Sequence, residues 1–110
     1  MNSEYSMIIT TCANKEAAKA IAKLLVEQHL AACVQMLSVE SVYIWKDKLC
    51  DDNETALFVK AKSEMFDKIT AAIKGRHTYT VPEIIQIPIT NGLPEYLKWI
   101  DDCSAGSLKR

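Results

Sequence analysis

Between His77 and Trp99 the chain gathers its densest set of side chains able to do chemistry: an imidazole at His77, a phenol at Tyr79, a carboxylate at Glu83 and an indole at Trp99. Imidazole and carboxylate are ordinary ligands of divalent metals, and aromatic rings build interfaces. Pro82 and Pro88 bracket the run Glu83-Ile84-Ile85-Gln86-Ile87. Proline cannot donate to a β ladder, so this run belongs at a sheet edge, where a margin stays open for docking.

Each candidate also has a plainer duty. His77 follows a predicted helix C-terminus, where the dipole alone favours an imidazole. Glu83 is either a metal ligand or an acceptor for Tyr79 or for Lys60 of a neighbouring copy. Cys33 falls in a strand expected to be buried, so core packing competes with thiolate ligation of a soft metal. Cys12 closes the first strand and is a second thiolate candidate. Cys50 and Cys103 are expected in an exposed turn and an exposed tail. The acidic group Asp47, Asp51, Asp52 and Glu54 lacks the ligand periodicity of a calcium loop and is expected to form a solvated hairpin end.

The four cysteines include no C-x-x-C pair and no Cys/His cluster, so one chain does not encode a closed zinc site. Nucleophile-elbow, Walker, H-E-x-x-H and G-x-G-x-x-G motifs are missing, and three glycines leave little material for a phosphate cradle. No enzymatic activity and no organic cofactor are expected. A net charge of -1 gives no basic footprint for nucleic acid. Neither an export signal nor a bilayer-length apolar run is present, so a cytoplasmic location with free thiols, away from membranes, is expected.

Hydrophobic periodicity places these residues on a compact set of elements. At 110 residues the chain is one domain, with a core over about 7–102 and a polar tail over 103–110 expected to fray. Met7 to Cys12 reads as a strand, Asn14 as an N-cap, and Lys15 to His29 as an amphipathic helix. Leu30 to Leu37 and Val42 to Trp45 read as one strand in two halves with a bulge between them, and Thr55 to Ala61 as its hairpin partner. Ser63 is expected to cap a second helix bearing Met65, Phe66, Ile69, Ala72 and Ile73, ended by Gly75. Ile84 to Ile89 is the fourth strand. Asn91-Gly92 is expected to turn into a short third helix that begins at Pro94 and packs through Leu93, Tyr96, Leu97 and Ile100.

The order is βαββαβ with a C-terminal helix, an α+β ferredoxin-like sandwich with an antiparallel four-stranded sheet and helices on one face. Tyr43, Trp45, Leu57 and Val59 share a parity expected to point to the uncovered face. Self-association would shelter them.

Four blocks of the sequence, LVEQHLAACVQ at 25–35, VYIW at 42–45, FVKAK at 58–62 and HTYTVPEIIQIPITNGLPEYLKWI at 77–100, occur in an order and spacing that resemble the CutA divalent-cation tolerance family. The resemblance spans about residues 7–102. It implies a cytoplasmic homotrimer of ferredoxin-like subunits joined by edge pairing and long hairpins, binding or responding to copper, as Cu(II), or another divalent metal ion. It also implies an inter-subunit cleft of Tyr43, Trp45, Lys60, His77, Tyr79, Glu83, Tyr96 and Trp99. The chain has His77-Thr78-Tyr79 where the family usually has His-Pro-Tyr, and Asp47 where glycine is common. A PII-like trimer binding a small ligand, or a structural or anchoring trimer with no direct metal role, is the alternative.

Overall fold

In a computed structural model, residues 3–104 are described. The elements run β1 (Tyr5–Cys12), α1 (Lys15–Glu27), β2 (Cys33–Trp45), β3 (Lys48–Lys62), a 3₁₀ turn (Ser63–Met65), α2 (Phe66–Arg76), β4 (Ile84–Pro88) and α3 (Pro94–Ser104). The sheet order is β2-β3-β1-β4 with every neighbouring pair antiparallel, the predicted ferredoxin-like arrangement. Among the described residues no helix is long and apolar enough to cross a membrane.

β4 is an edge strand, as its two flanking prolines require: it pairs only with β1, and Pro88 ends it opposite Ser6. α1 begins where expected, because the Asn14 side-chain oxygen accepts from the Ala17 N–H at 2.8 Å. It ends at Glu27, two residues earlier than the periodicity suggests. His29 adopts φ 60, while the Leu30 and Ala31 N–H groups both donate to the Leu25 carbonyl at 3.0 and 3.2 Å. This left-handed closure consumes Leu30 and Ala31, so β2 starts at Cys33 rather than Leu30.

The expected bulge in β2 is not formed. Pairing runs unbroken from Cys33 opposite Lys60 to Trp45 opposite Lys48, and the turn is only Lys46 and Asp47, with φ 51 and 66. Both turn residues being left-handed makes this the hairpin turn whose twist matches that of its strands. Cys50, Asp51, Asp52 and Glu54 therefore belong to β3, not to a solvated tip.

The short turn also corrects the parity. Since residue 45 faces residue 48, odd positions of β2 share a face with even positions of β3. Tyr43 and Trp45 do lie on the open side, whereas Leu57 and Val59 lie under the helices and are fully buried. There they join Ile8, Ala61, Ile21, Leu25, Ile69 and Ile73 in the main core.

Three further expectations change. Ser63 does not cap α2: its hydroxyl pairs with Ser6 at 2.5 Å, and the N-cap position, held by Met65, makes no side-chain bond. Gly75 does not end α2, which continues to Arg76 with His77 extended at the C-cap. Asn91 and Gly92 lie in irregular chain before α3, where a Cβ on Gly92 would stand 3.1 Å from the Leu97 side chain.

α3 lies on the face opposite α1 and α2. Tyr5 and Lys62, cross-strand partners on that face, both hold Asp101: the Tyr5 hydroxyl donates at 2.7 Å and the Lys62 ammonium stands at 3.3 Å. Ile100 and Cys103 are buried there with Ala32, while Leu93 is 65% exposed and outside the packing. Cys103 thus belongs to a packed helix rather than a tail, and the rest of the expected tail, 105–110, lies outside the described residues.

Two non-glycine residues with φ near 60 make a direct test. Asp47→Gly and His29→Gly are each expected to raise the unfolding free energy by about 0.5–1 kcal/mol by removing the Cβ strain of the left-handed region. Asp47→Val should lower it, since a β-branched side chain is poorly accommodated there. Denaturant unfolding at fixed protein concentration measures all three, and a loss of stability in both glycine variants would contradict the turn geometry.

Candidate functional site

The β2–β3 arm and the segment 78–83 enclose a cleft of about 710 Å³ lined by Tyr43, Trp45, Glu54, Tyr79, Glu83 and hydroxyls such as Thr78 and Thr80. The arm supplies one wall because the short turn lets two long strands pair beyond the helices. The other wall is loop, since Pro82 keeps it from extending β4 backwards.

His77 anchors this loop. Its Nδ1 accepts from the Tyr79 N–H at 3.1 Å, which leaves the proton on Nε2, and Nε2 donates to the Thr11 carbonyl at 2.6 Å. The imidazole ring also lies against the Tyr79 ring, centroids 4.7 Å apart. Both ring nitrogens are engaged, and the ring reaches β1 rather than the last carbonyls of its own helix. Thr78 is exposed and lines the cleft.

Tyr79 and Tyr43 are both fixed by acids. The Tyr79 hydroxyl donates to Glu54 at 2.7 Å and the Tyr43 hydroxyl to Asp52 at 2.5 Å. Burial first, then the bond to Glu54, pushes the Tyr79 phenol well above its usual value. The bond to Asp52 does the same for Tyr43. Glu54 is 92% buried by this arrangement, at 8% exposure. Glu54 is buried in β3 rather than part of a solvated tip with Asp47, Asp51 and Asp52; its sequence proximity to these acids masks its place in the strand. The two-residue turn is the signal that would have placed it in a strand facing Tyr79.

The four metal candidates do not converge. Cys12 is buried in the main core, and burial, followed by the nearby Glu54 charge, pushes its thiol up, away from the thiolate a metal needs. Glu83 is exposed on the cleft. Cys33 is half-buried at the other end of the arm. Among the described residues no three His, Cys, Asp or Glu side chains are placed to hold a metal ion. Cys50 is half-buried in β3, not in an exposed turn.

The cleft implied by the resemblance is divided within one chain. Tyr43, Trp45, Tyr79 and Glu83 line the cavity. Lys60 lies opposite Cys33, with its ammonium bonded to Gln35. Tyr96, its ring 5.5 Å from that of Trp99, stands beside Cys33 and Cys103. Cys33 and Tyr43 are ten positions apart along β2, so the two groups stand at opposite ends of the strand, on the order of 30 Å from one another.

All four tyrosines are raised: Tyr5 to about 12 by its bond to Asp101, Tyr96 by burial, and Tyr43 and Tyr79 as above. A phenol whose folded pKa exceeds its unfolded value contributes stability that is whole below about pH 10 and is lost as pH rises through the folded pKa. Phenolate absorbance is therefore expected to rise at a higher pH in the folded chain than in urea, where it rises near pH 10. Ionisation of Tyr5, Tyr43 or Tyr79 near pH 10 in the folded chain would contradict its bond to Asp101, Asp52 or Glu54.

A family model for the CutA1 divalent ion tolerance protein matches residues 6–103. The divalent-cation tolerance protein CutA of Thermus thermophilus is 41% identical over 95 residues, 86% of this chain and 92% of that one. The solved structure of the periplasmic divalent cation tolerance protein CutA from Archaeoglobus fulgidus superposes with TM-score 0.90 at 40% identity, covering 91% of this chain and 98% of that one. CutA1 from Shewanella sp. SIB1 superposes with TM-score 0.91 at 39% identity over 94% and 98%. With the ferredoxin-like topology, the long hairpin and the His77 loop all in place, this chain belongs to the CutA1 divalent ion tolerance protein family.

Proposed function

We propose that the protein works as a cytoplasmic homotrimer, without enzymatic activity, that binds or responds to copper-like divalent ions. The observation that carries the assembly is the uncovered apolar surface of the arm and open face: Leu37 52%, Ile44 72%, Trp45 45%, Leu49 74% and Ile85 46% exposed. Surface of this kind, on an arm with one unpaired edge at β2 and another at β4, is stabilised by a neighbouring copy. Assembly also supports the divided cleft, because a second chain can bring its Cys33–Tyr96–Trp99 end beside the first chain's Tyr43–Trp45–Glu83 end.

The metal reading rests on the family and on donor chemistry. One chain's residues do not fit a metal by themselves, since both His77 nitrogens are engaged and Cys12 is a buried thiol. A site is completed only by donors from two subunits, or when His77 gives up its bond from Tyr79. Sites so assembled are weak. Copper leads the divalent series for nitrogen-containing ligand sets, so it is the ion expected to bind first. Four free thiols accord with a reducing compartment. A PII-like nucleotide reading gains no support from the cavity, whose lining includes Glu54 and Glu83 and, among the described residues, no lysine or arginine.

Sedimentation equilibrium is expected to give three times 12.3 kDa at micromolar concentration, and Trp45→Asp to shift that mass downward. A stable monomer would refute the assembly. Calorimetric titration of the reduced protein should give saturable Cu(II) binding, weaker Zn(II) binding, and at least a roughly tenfold loss for copper in His77→Ala. Copper binding untouched by that substitution would remove His77 from the reading.

A further inference from the structure

The junction between β4 and α3 sets a backbone nitrogen beside a side-chain carbonyl that it can attack. Ile89 is tied to β1, its N–H donating to the Tyr5 carbonyl at 2.9 Å, and the Leu93 carbonyl opens α3 by accepting from the Tyr96 and Leu97 N–H groups at 2.9 and 3.0 Å. Between them Thr90, Asn91 and Gly92 form irregular chain. Asn91 is exposed, and the Gly92 N–H donates to the Asn91 side-chain oxygen at 3.0 Å. The nitrogen therefore stands on the order of 3.5 Å from the carbon of that carbonyl, the separation of a near-attack pair.

Bond formation between these two atoms closes a five-membered ring. A Cβ on the second residue would crowd the approach, and glycine has none. Gly92 is also held by packing, since a Cβ there would stand 3.1 Å from the Leu97 side chain, so α3 seats itself on the bare α-carbon. The other described asparagines lack this combination. Asn14 precedes Lys15, and its side-chain oxygen accepts from the Ala17 N–H at 2.8 Å. Asn53 precedes Glu54 inside β3, where it is paired opposite Glu40.

We propose that Asn91 is a site of spontaneous covalent modification, at which the Gly92 nitrogen closes a succinimide ring on the Asn91 side chain and water reopens it to aspartate or isoaspartate. Solvent base takes the Gly92 amide proton, the nitrogen bonds to the side-chain carbonyl carbon, and the bond from that carbon to the side-chain nitrogen breaks. The departing nitrogen leaves with a proton as ammonia. Water then adds to one of the two ring carbonyls. Opening at the side-chain carbonyl gives aspartate in an unchanged backbone, whereas opening at the main-chain carbonyl routes the chain through the side-chain carbons as isoaspartate. One water is consumed and one ammonia released, with no oxidant or reductant.

Both products add a negative charge near the N-terminal end of α3, where the helix dipole favours it. Isoaspartate in addition inserts a methylene into the main chain between β4 and α3. That shifts Gly92 off Leu97 while Asp101, in the second half of the helix, stays held by Tyr5 and Lys62, so α3 loosens from its first turn. The site uses neither the arm nor the cleft and does not depend on the metal reading.

The test is incubation of the full-length protein over days at physiological temperature and mildly alkaline pH, followed by tryptic digestion and mass spectrometry. The peptide 77–98, in which Asn91 is the only asparagine, is expected to gain the mass difference between an amide and an acid, while the peptides bearing Asn14 and Asn53 stay unchanged. An isoaspartate-specific carboxyl methyltransferase should place a labelled methyl group on the same peptide. The rate in the folded chain is expected to lie within about tenfold of that in urea, and Gly92→Ala to slow it at least about tenfold in both. Asn91→Gln, whose side chain would close a larger ring, should abolish the gain. Asn91→Asp should unfold at no lower temperature than the original chain, and aged protein rich in isoaspartate at a lower one. A peptide 77–98 that is unchanged in the folded chain but modified in urea, equal modification at Asn14 or Asn53, or a gain that survives Asn91→Gln would overturn the site. Aged, isoaspartate-rich protein that unfolds at the original temperature would overturn the loosening of α3.

Discussion

A two-residue turn at Lys46 and Asp47 decides on which side of the sheet every residue of the two longest strands falls. Antiparallel pairing has a side-chain period of two, so lengthening or shortening that turn by one residue would exchange the faces of one strand relative to the other. With this turn, Leu57, Val59 and Ala61 are delivered to the helices, while Tyr43, Trp45 and Glu54 are delivered to the cleft. Core and site are thus set by one local event. The strain accepted at φ 51 and 66 is small beside the burial it directs.

The same event creates the protein's weakness. Beyond the helices the arm is a two-stranded ribbon, and an isolated hairpin is marginal in water. Val42, Ile44 and Leu49 on one side, Tyr43 and Trp45 on the other, are exposed on both faces of that ribbon. Charges that ordinarily blunt an edge, such as Asp51 and Asp52, are confined to β3, the inner strand of the pair. The outer strand β2 carries Glu40 as its single ionised residue between Cys33 and Trp45. Little on β2 therefore blocks the pairing of a further strand, and an edge so little defended is suited to receive one.

Most of the architecture was legible because its signals are periodic and local. Asn14, Pro94, Pro82 and Pro88 placed boundaries through backbone chemistry that tertiary contacts did not override. Misreadings came from competition between local choices. Ser63 has the right type for a cap, but a serine from β1 claims its hydroxyl. Gly75 has the right type for a helix end, but nothing in its surroundings demands a left-handed residue there, and the helix runs on. At His29 the reverse occurs, and a non-glycine residue takes the left-handed position that ends α1. Glu54 and the split of the proposed cleft depended on a register visible only once the turn length is known.

Polar satisfaction separates what the cleft can do at once from what it can do only after rearrangement. His77 spends Nδ1 on a backbone N–H and Nε2–H on a backbone carbonyl, so a metal must displace one of them. Displacement would leave a backbone group of a half-buried loop without its partner, at a cost of about 1–3 kcal/mol before any metal–nitrogen bond is counted. Metal uptake at His77 would thereby loosen Tyr79 and the wall it forms, coupling the ion to the shape of the cavity.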